Sequence, residues 1–216
     1  LGALMLLPCL CALIYGESLL PFIIPMAAAL GLGFLCSFKK PKNSRLLARD
    51  GFVSVGLSWI IISLIGCIPY ILSGAIPGFV DAFFETVSGF TTTGSSILTD
   101  VEALSHPSLF WRSFTHWIGG MGVLVFVLAV VPLSGGSNIN LMRAESPGPP
   151  VGKLVPKLRA TARILYVIYM VMPVIEILLL LLGGMDLFDS LTLSFGTAGS
   201  GGFGIKNGSI GGYSED

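Results

Sequence analysis

Two short stretches of this sequence offer backbone chemistry rather than acid–base chemistry. The first is Thr91-Thr92-Thr93-Gly94 and the second is Gly199-Ser200-Gly201-Gly202. Runs of small hydroxyl and glycine residues leave carbonyl and hydroxyl oxygens uncovered. Glycine reaches positive φ at little steric cost, so successive carbonyls can point the same way. Oxygens arranged in that manner replace the water shell of a dehydrating cation. The chemistry on offer is therefore cation ligation, with no covalent step. Taken by itself, the first stretch also fits a polar turn between helices. Residues 199–204 also fit G-x-G-x-x-G. A dinucleotide site needs a strand before that motif, and here the preceding residues read as a short helix.

The residues in front of each stretch explain how it would be held. Asp81-Ala82-Phe83-Phe84-Glu85-Thr86-Val87-Ser88-Gly89-Phe90 precedes the first; Asp189-Ser190-Leu191-Thr192-Leu193-Ser194-Phe195-Gly196-Thr197-Ala198 precedes the second. Each opens on an acid, which suits the positive end of a helix dipole. Each is too short to cross a bilayer and has the length of a re-entrant helix. The two align without a gap at an offset of 108 residues, placing Thr92 opposite Ser200, Thr93 opposite Gly201 and Gly94 opposite Gly202. Irregular backbone at membrane depth is tolerated where it is buried in protein or lines a watery path. The negative end of each short helix would then face that path.

The rest of the chain supplies the membrane setting. Of 216 residues, 53% are apolar and 11% charged, against about 25% charged in soluble domains. That excludes a disordered tail, a nucleic-acid binder and an ordinary cytosolic enzyme. Five spans are expected: 1–16, 18–38, 51–80 with the helix ending near 74, 113–142, and 164–185, which contains Glu176. Residues 1–16 lack a basic leader and a small-residue cleavage site, so they read as an anchor helix. Two loops, from Lys39 to Arg49 and from Arg143 to Arg163, hold ten of the twelve basic residues. Basic loops face the cytoplasm. This places the N-terminus inside and the loops near Glu17 and 81–107 outside. Cys9, Cys11, Cys36 and Cys67 lie in apolar runs without metal-ligand spacing and read as buried apolar residues. The fold class is an all-α polytopic membrane protein in which span, re-entrant pore helix and span recur, an internal repeat of the kind that builds transporters. The first residue is Leu1 and the last is Asp216, and the chain reads as a piece of a longer protein.

Several motifs in order resemble the TrkH branch of the Trk/Ktr/HKT potassium transporters. They are Asp81 to Glu85, Thr91 to Gly94, Trp117-Ile118-Gly119-Gly120-Met121-Gly122, Arg143-Ala144-Glu145 and Pro147-Gly148-Pro149; residues 199–204 resemble that branch's second filter loop. The resemblance implies four span–pore–span repeats around one pore, behind two extra helices. On that plan 1–38 are the extra helices and 39–50 a basic cytoplasmic loop. Residues 51–134 are then the first repeat, 135–159 a second cytoplasmic loop and 160–216 the start of the second repeat. It implies potassium sites at Thr91, Thr92, Thr93, Gly94, Gly199, Ser200, Gly201 and Gly202. It also implies a homodimer in lipid at the bacterial cytoplasmic (inner) membrane and a cytoplasmic nucleotide-binding TrkA-type subunit. No cofactor is implied beyond potassium as the transported substrate, and no nucleic acid. In that family a glycine at the head of a filter loop accompanies potassium selectivity. The first loop departs from this with Thr91, which keeps a sodium-permeable or proton- or sodium-coupled relative as the alternative.

Other residues carry open readings. Glu176 is an intramembrane acid, which marks function by default; it also fits a carboxylate that reaches outward or bonds a neighbouring helix. Arg112 and His116 read as interface anchors, with anion binding or a proton relay as alternatives. Glu85 either raises the local cation concentration or bonds behind the filter. Gly119, Gly120 and Gly122 read as close helix packing. Asn207-Gly208-Ser209 fits a glycosylation triplet that occurs often by chance. An enzyme would need convergent ionisable groups, and no HExxH, GxSxG or paired-Asp motif is present. A structural scaffold explains the spans but leaves the repeated loops unexplained.

Overall fold

A computed structural model describes residues 1–38, 48–122 and 158–213. Among these every regular element is helical. The basic loop residues 39–47, the stretch 123–157 with its Arg143 to Pro149 motifs, and 214–216 lie outside the described residues.

A 3₁₀ turn, Gly2–Met5, leads into α1, Leu6–Tyr15. Helix α1 stops because Gly16 turns to φ 66°, which lets the Glu17 N–H close back on the Ala12 carbonyl at 2.9 Å. Helix α2 is Leu20–Ser37 and α3 is Ala48–Gly66. After Cys67 the chain continues as α4, Ile68–Ser73, and ends on Gly74 at φ 76°. That is where the prolines of the second long apolar run predicted the stop. Pro69 lacks an N–H and the Tyr70 N–H goes to the Cys67 carbonyl, so the ladder breaks at this joint. The Trp111 indole donates to the Gly66 carbonyl at 2.9 Å and restores the missing bond.

Helix α5 is Phe79–Phe90, α6 is His106–Gly120, α7 is Leu158–Leu182 and α8 is Leu187–Ala198. Asp186 caps α8 by accepting from the Phe188 N–H at 3.1 Å. Helix α6 is the hub and touches α1, α5 and α8; α8 also lies on α7, and α5 on α3. From Pro107 to His116 every residue of α6 is buried. Trp111, Phe114, Phe90, Tyr70 and Phe22 fill the core around it.

Among the described residues, three helical stretches are long and apolar enough to cross a membrane: Leu20–Ser37, Gly56–Ser73 and Arg163–Leu182. Their outer faces leave Phe34, Leu57, Leu179 and Leu182 uncovered. An apolar face left bare is stable against lipid, not water. Gly2–Tyr15 is apolar but shorter. The fourth expected span differs from its prediction at the front. Its helix begins at His106 rather than near 113, because Ser105 is extended and Pro107 takes an early helical position, where a missing N–H costs nothing. Residues 123–142 of that span lie outside the described residues.

Candidate functional site

Helices α5 and α8 obey the 108-residue offset at both ends, Phe79 to Leu187 and Phe90 to Ala198. Asp81 and Asp189 fall in their first turns. The loops that follow repeat the same backbone path. Thr92 and Ser200 both sit at positive φ, 55° and 58°, and Gly94 and Gly202 at 77° and 73°. A left-handed threonine or serine costs about 1–2 kcal/mol. Meeting that strain twice at the same register marks the two loops as copies of one design.

Hydrogen bonds inside each loop hold this path. The Thr91 N–H donates to the Val87 carbonyl at 2.8 Å and the Thr92 N–H to Gly89 at 3.1 Å; their counterparts run from Gly199 to Phe195 at 3.1 Å and from Ser200 to Thr197 at 2.8 Å. The Thr91 hydroxyl donates to the Val87 carbonyl at 2.7 Å and lies 2.8 Å from the Thr93 hydroxyl. With its proton committed, Thr91 must accept there and Thr93 must donate. The hydroxyls therefore brace the first loop. Among the described residues, the carbonyls of 91–94 and 199–202 accept no hydrogen bond. Their lone pairs are left for water or a cation.

The two loops lie against each other and against α6. A Cβ placed on Gly94 would fall on the Gly201 carbonyl oxygen, and one on Gly201 would stand 3.0 Å from the Thr92 carbonyl oxygen. Gly119 backs onto the Phe90 carbonyl, and Gly120 would meet the Gly199 Cα at 2.9 Å. These glycines of the Trp117 to Gly122 motif let both loops press onto one helix. Gly122 instead takes φ 65°.

The sequence matches the TrkH family, described as cation transport protein, over residues 20–216. The chain belongs to the TrkH family. This is a family of transport proteins, not of enzymes. Over 212 residues the chain is 38% identical to the Trk system potassium uptake protein TrkH of Escherichia coli K12, covering 96% of this chain and 44% of that protein. It is 37% identical to TrkG of the same strain. It is also 36% identical to an uncharacterized cation transporter of Methanocaldococcus jannaschii. The crystal structure of the potassium transporter TrkH from Vibrio parahaemolyticus superimposes with a TM-score of 0.79 at 32% identity, over 100% of this chain and 43% of that one. The chain thus spans less than half the length of these relatives. TrkH membership and its bare apolar helices make it a membrane protein.

Within this TrkH-family chain, Arg112 and His116 are not interface anchors. Arg112 is 3% exposed and His116 0%. The Arg112 Nε donates to Glu85 Oε1 at 2.7 Å, and its Nη1 to the Gly204 carbonyl at 2.7 Å. Its guanidinium lies 3.7 Å over the Phe203 ring. Glu85 is wholly buried and accepts from the Ser96 hydroxyl at 2.9 Å and the Ile97 N–H at 3.0 Å. Of its two readings, bonding behind the loops is the one that the geometry supports. The His116 ring stands edge-on to Phe203, centroids 4.0 Å apart, and neither ring nitrogen has a partner among the described residues. Glu176 is half-buried on α7, the helix against which α8 lies.

Sequence reading gave Asn207 only as part of a glycosylation triplet and missed its place in the fold. Its Oδ1 accepts from the Val101 N–H at 2.8 Å and its Nδ2 donates to Asp100 at 2.9 Å. Its own N–H donates to Glu102 at 2.9 Å. It ties the chain after α8 to the loop between α5 and α6. Its polarity among small residues was visible, but its partners lie over 100 residues away in sequence. For Arg112 and Glu85 the available signal was opposite charge on two short helices, each otherwise poor in charge.

Proposed function

We propose that this chain forms part of the pore of a potassium uptake protein and supplies two of its filter loops. The carbonyls of Thr91, Thr92, Thr93, Gly94, Gly199, Ser200, Gly201 and Gly202 would ligate potassium as it sheds water. The observation that carries this reading is the repeated loop path with carbonyls free of internal donors. The C-terminal ends of α5 and α8 add partial negative charge at the same place. The uptake proteins among its relatives support potassium as the substrate. The reading includes a bacterial cytoplasmic membrane location, a cytoplasmic N-terminus, a homodimer with one pore per protomer, and a TrkA-type partner on the basic cytoplasmic loops.

The test is rubidium and potassium uptake by the natural protein carrying this sequence, in cells lacking other potassium uptake, with sodium as competitor. Selective uptake is expected in wild type. Gly201→Ala and Thr93→Ala should lower the rate or the selectivity while the protein stays in the membrane. Uptake unaltered by both substitutions would take these loops out of the ion path. Sodium uptake equal to potassium uptake in wild type would favour the sodium-permeable alternative, in keeping with Thr91 at the head of the first loop.

A further inference from the structure

We propose that the buried Glu85–Arg112 pair is a positioning device that ties the exits of both loops to one point and thereby sets ion discrimination; this rests on the filter reading above. The exits are Ser96 and Gly204, which occupy equivalent places under the 108-residue offset. Glu85 holds the first exit by accepting from the Ser96 hydroxyl and the Ile97 N–H. Arg112 holds the second by donating to the Gly204 carbonyl at 2.7 Å. The ion pair, at 2.7 Å with side chains 0% and 4% exposed, joins the two anchors.

The second copy has no such carboxylate of its own. The residue equivalent to Glu85 is Leu193, a buried apolar side chain. The first copy therefore serves both loops, through Arg112 reaching across to Gly204 with the Phe203 ring beneath its guanidinium. Geometry favours this role over bulk stabilisation. A buried ion pair is weak evidence for stability, since desolvation offsets its attraction, and its best-attested use is to fix one arrangement. Two guanidinium nitrogens, Nε and Nη1, take separate partners, so charge by itself does not reproduce the link. Carbonyl filters separate ions by cavity size or by the number and field of their oxygens. Both properties change when an exit is released.

The experiment measures the potassium-to-sodium uptake ratio of the natural protein carrying Glu85→Gln, Arg112→Lys or Ser96→Ala. Membrane content and thermal midpoint in detergent are measured beside it. Glu85→Gln is expected to lower the ratio on the order of tenfold, the effect of one lost charge-assisted hydrogen bond. Arg112→Lys keeps the charge but not the fork, and should also lower it. Trp111→Phe is the control: it loosens the same core without touching an exit, so the thermal midpoint falls and the ratio stays. Unchanged ratios in pair variants that reach the membrane would overturn the proposal while leaving the filter reading intact. If the pair variants fail to reach the membrane, Ser96→Ala decides, because its side chain is exposed and the ion pair survives. A several-fold lower ratio supports the proposal and a wild-type ratio overturns it. Wild type without selective uptake would instead remove the filter reading itself.

Discussion

Gly201→Ala is the most exacting perturbation because its consequence follows from atoms already in place. The new methyl would fall on Nε2 and Cδ2 of His116 and within 3.0 Å of the Thr92 carbonyl oxygen. The imidazole has little freedom to yield, since it is fully buried and set edge-on against Phe203. Forcing a methyl into a filled site costs about 1–3 kcal/mol, which is roughly 5- to 150-fold in the population of the native arrangement. His116→Ala should relieve most of this. The ring nitrogens have no partner among the described residues, so removing the ring sacrifices no hydrogen bond there, and the remaining approach to Thr92 needs a shift of a few tenths of an ångström. A double-mutant cycle on detergent thermal stability and rubidium uptake should show coupling of about 1–2 kcal/mol. Gly94→Ala is the internal contrast. Its methyl would meet the Gly201 carbonyl, a backbone atom, and its φ is 77°; His116→Ala should not rescue it. Full activity and stability in Gly201→Ala, or no relief from His116→Ala, would refute this packing account.

Three further outcomes follow from the same geometry. Ser200 holds φ 58°, so Ser200→Val should lose about 1–2 kcal/mol by placing a β-branched side chain in the left-handed region; Ser200→Gly should be neutral or stabilising in the same thermal assay. Trp111→Phe leaves the Gly66 carbonyl unpaired at the α3–α4 joint and should cost about 1–3 kcal/mol, read as a lower midpoint with an unaltered uptake ratio. Asn207→Ala removes two side-chain bonds between the chain after α8 and the α5–α6 loop; at an exposed site the loss is about 1 kcal/mol, and limited proteolysis within 98–104 should become faster.

Much of this protein is legible in one dimension because its controlling signals are local. Uncharged runs of spanning length, the stop at Gly74 and the gap-free match of Asp81 with Asp189 rest on neighbours in sequence. The 108-residue offset was readable, since both copies carry the same small-residue pattern after a short apolar stretch, although the helices begin two residues before Asp81 and Asp189. The start of α6 was missed because the charge of Arg112 ended the uncharged run at 113, whereas the helix runs back through Arg112 to His106, with Pro107 in its first turn. What tertiary structure decided is where the ionisable side chains go. Arg112 meets Glu85 27 residues away and Gly204 92 residues away. Hydropathy gives a lone arginine near a span end the same value whether it faces headgroups or a buried carboxylate. The choice depends on which partner atoms the packed helices bring within about 3 Å, and those distances exist only once α5, α6 and α8 have come together.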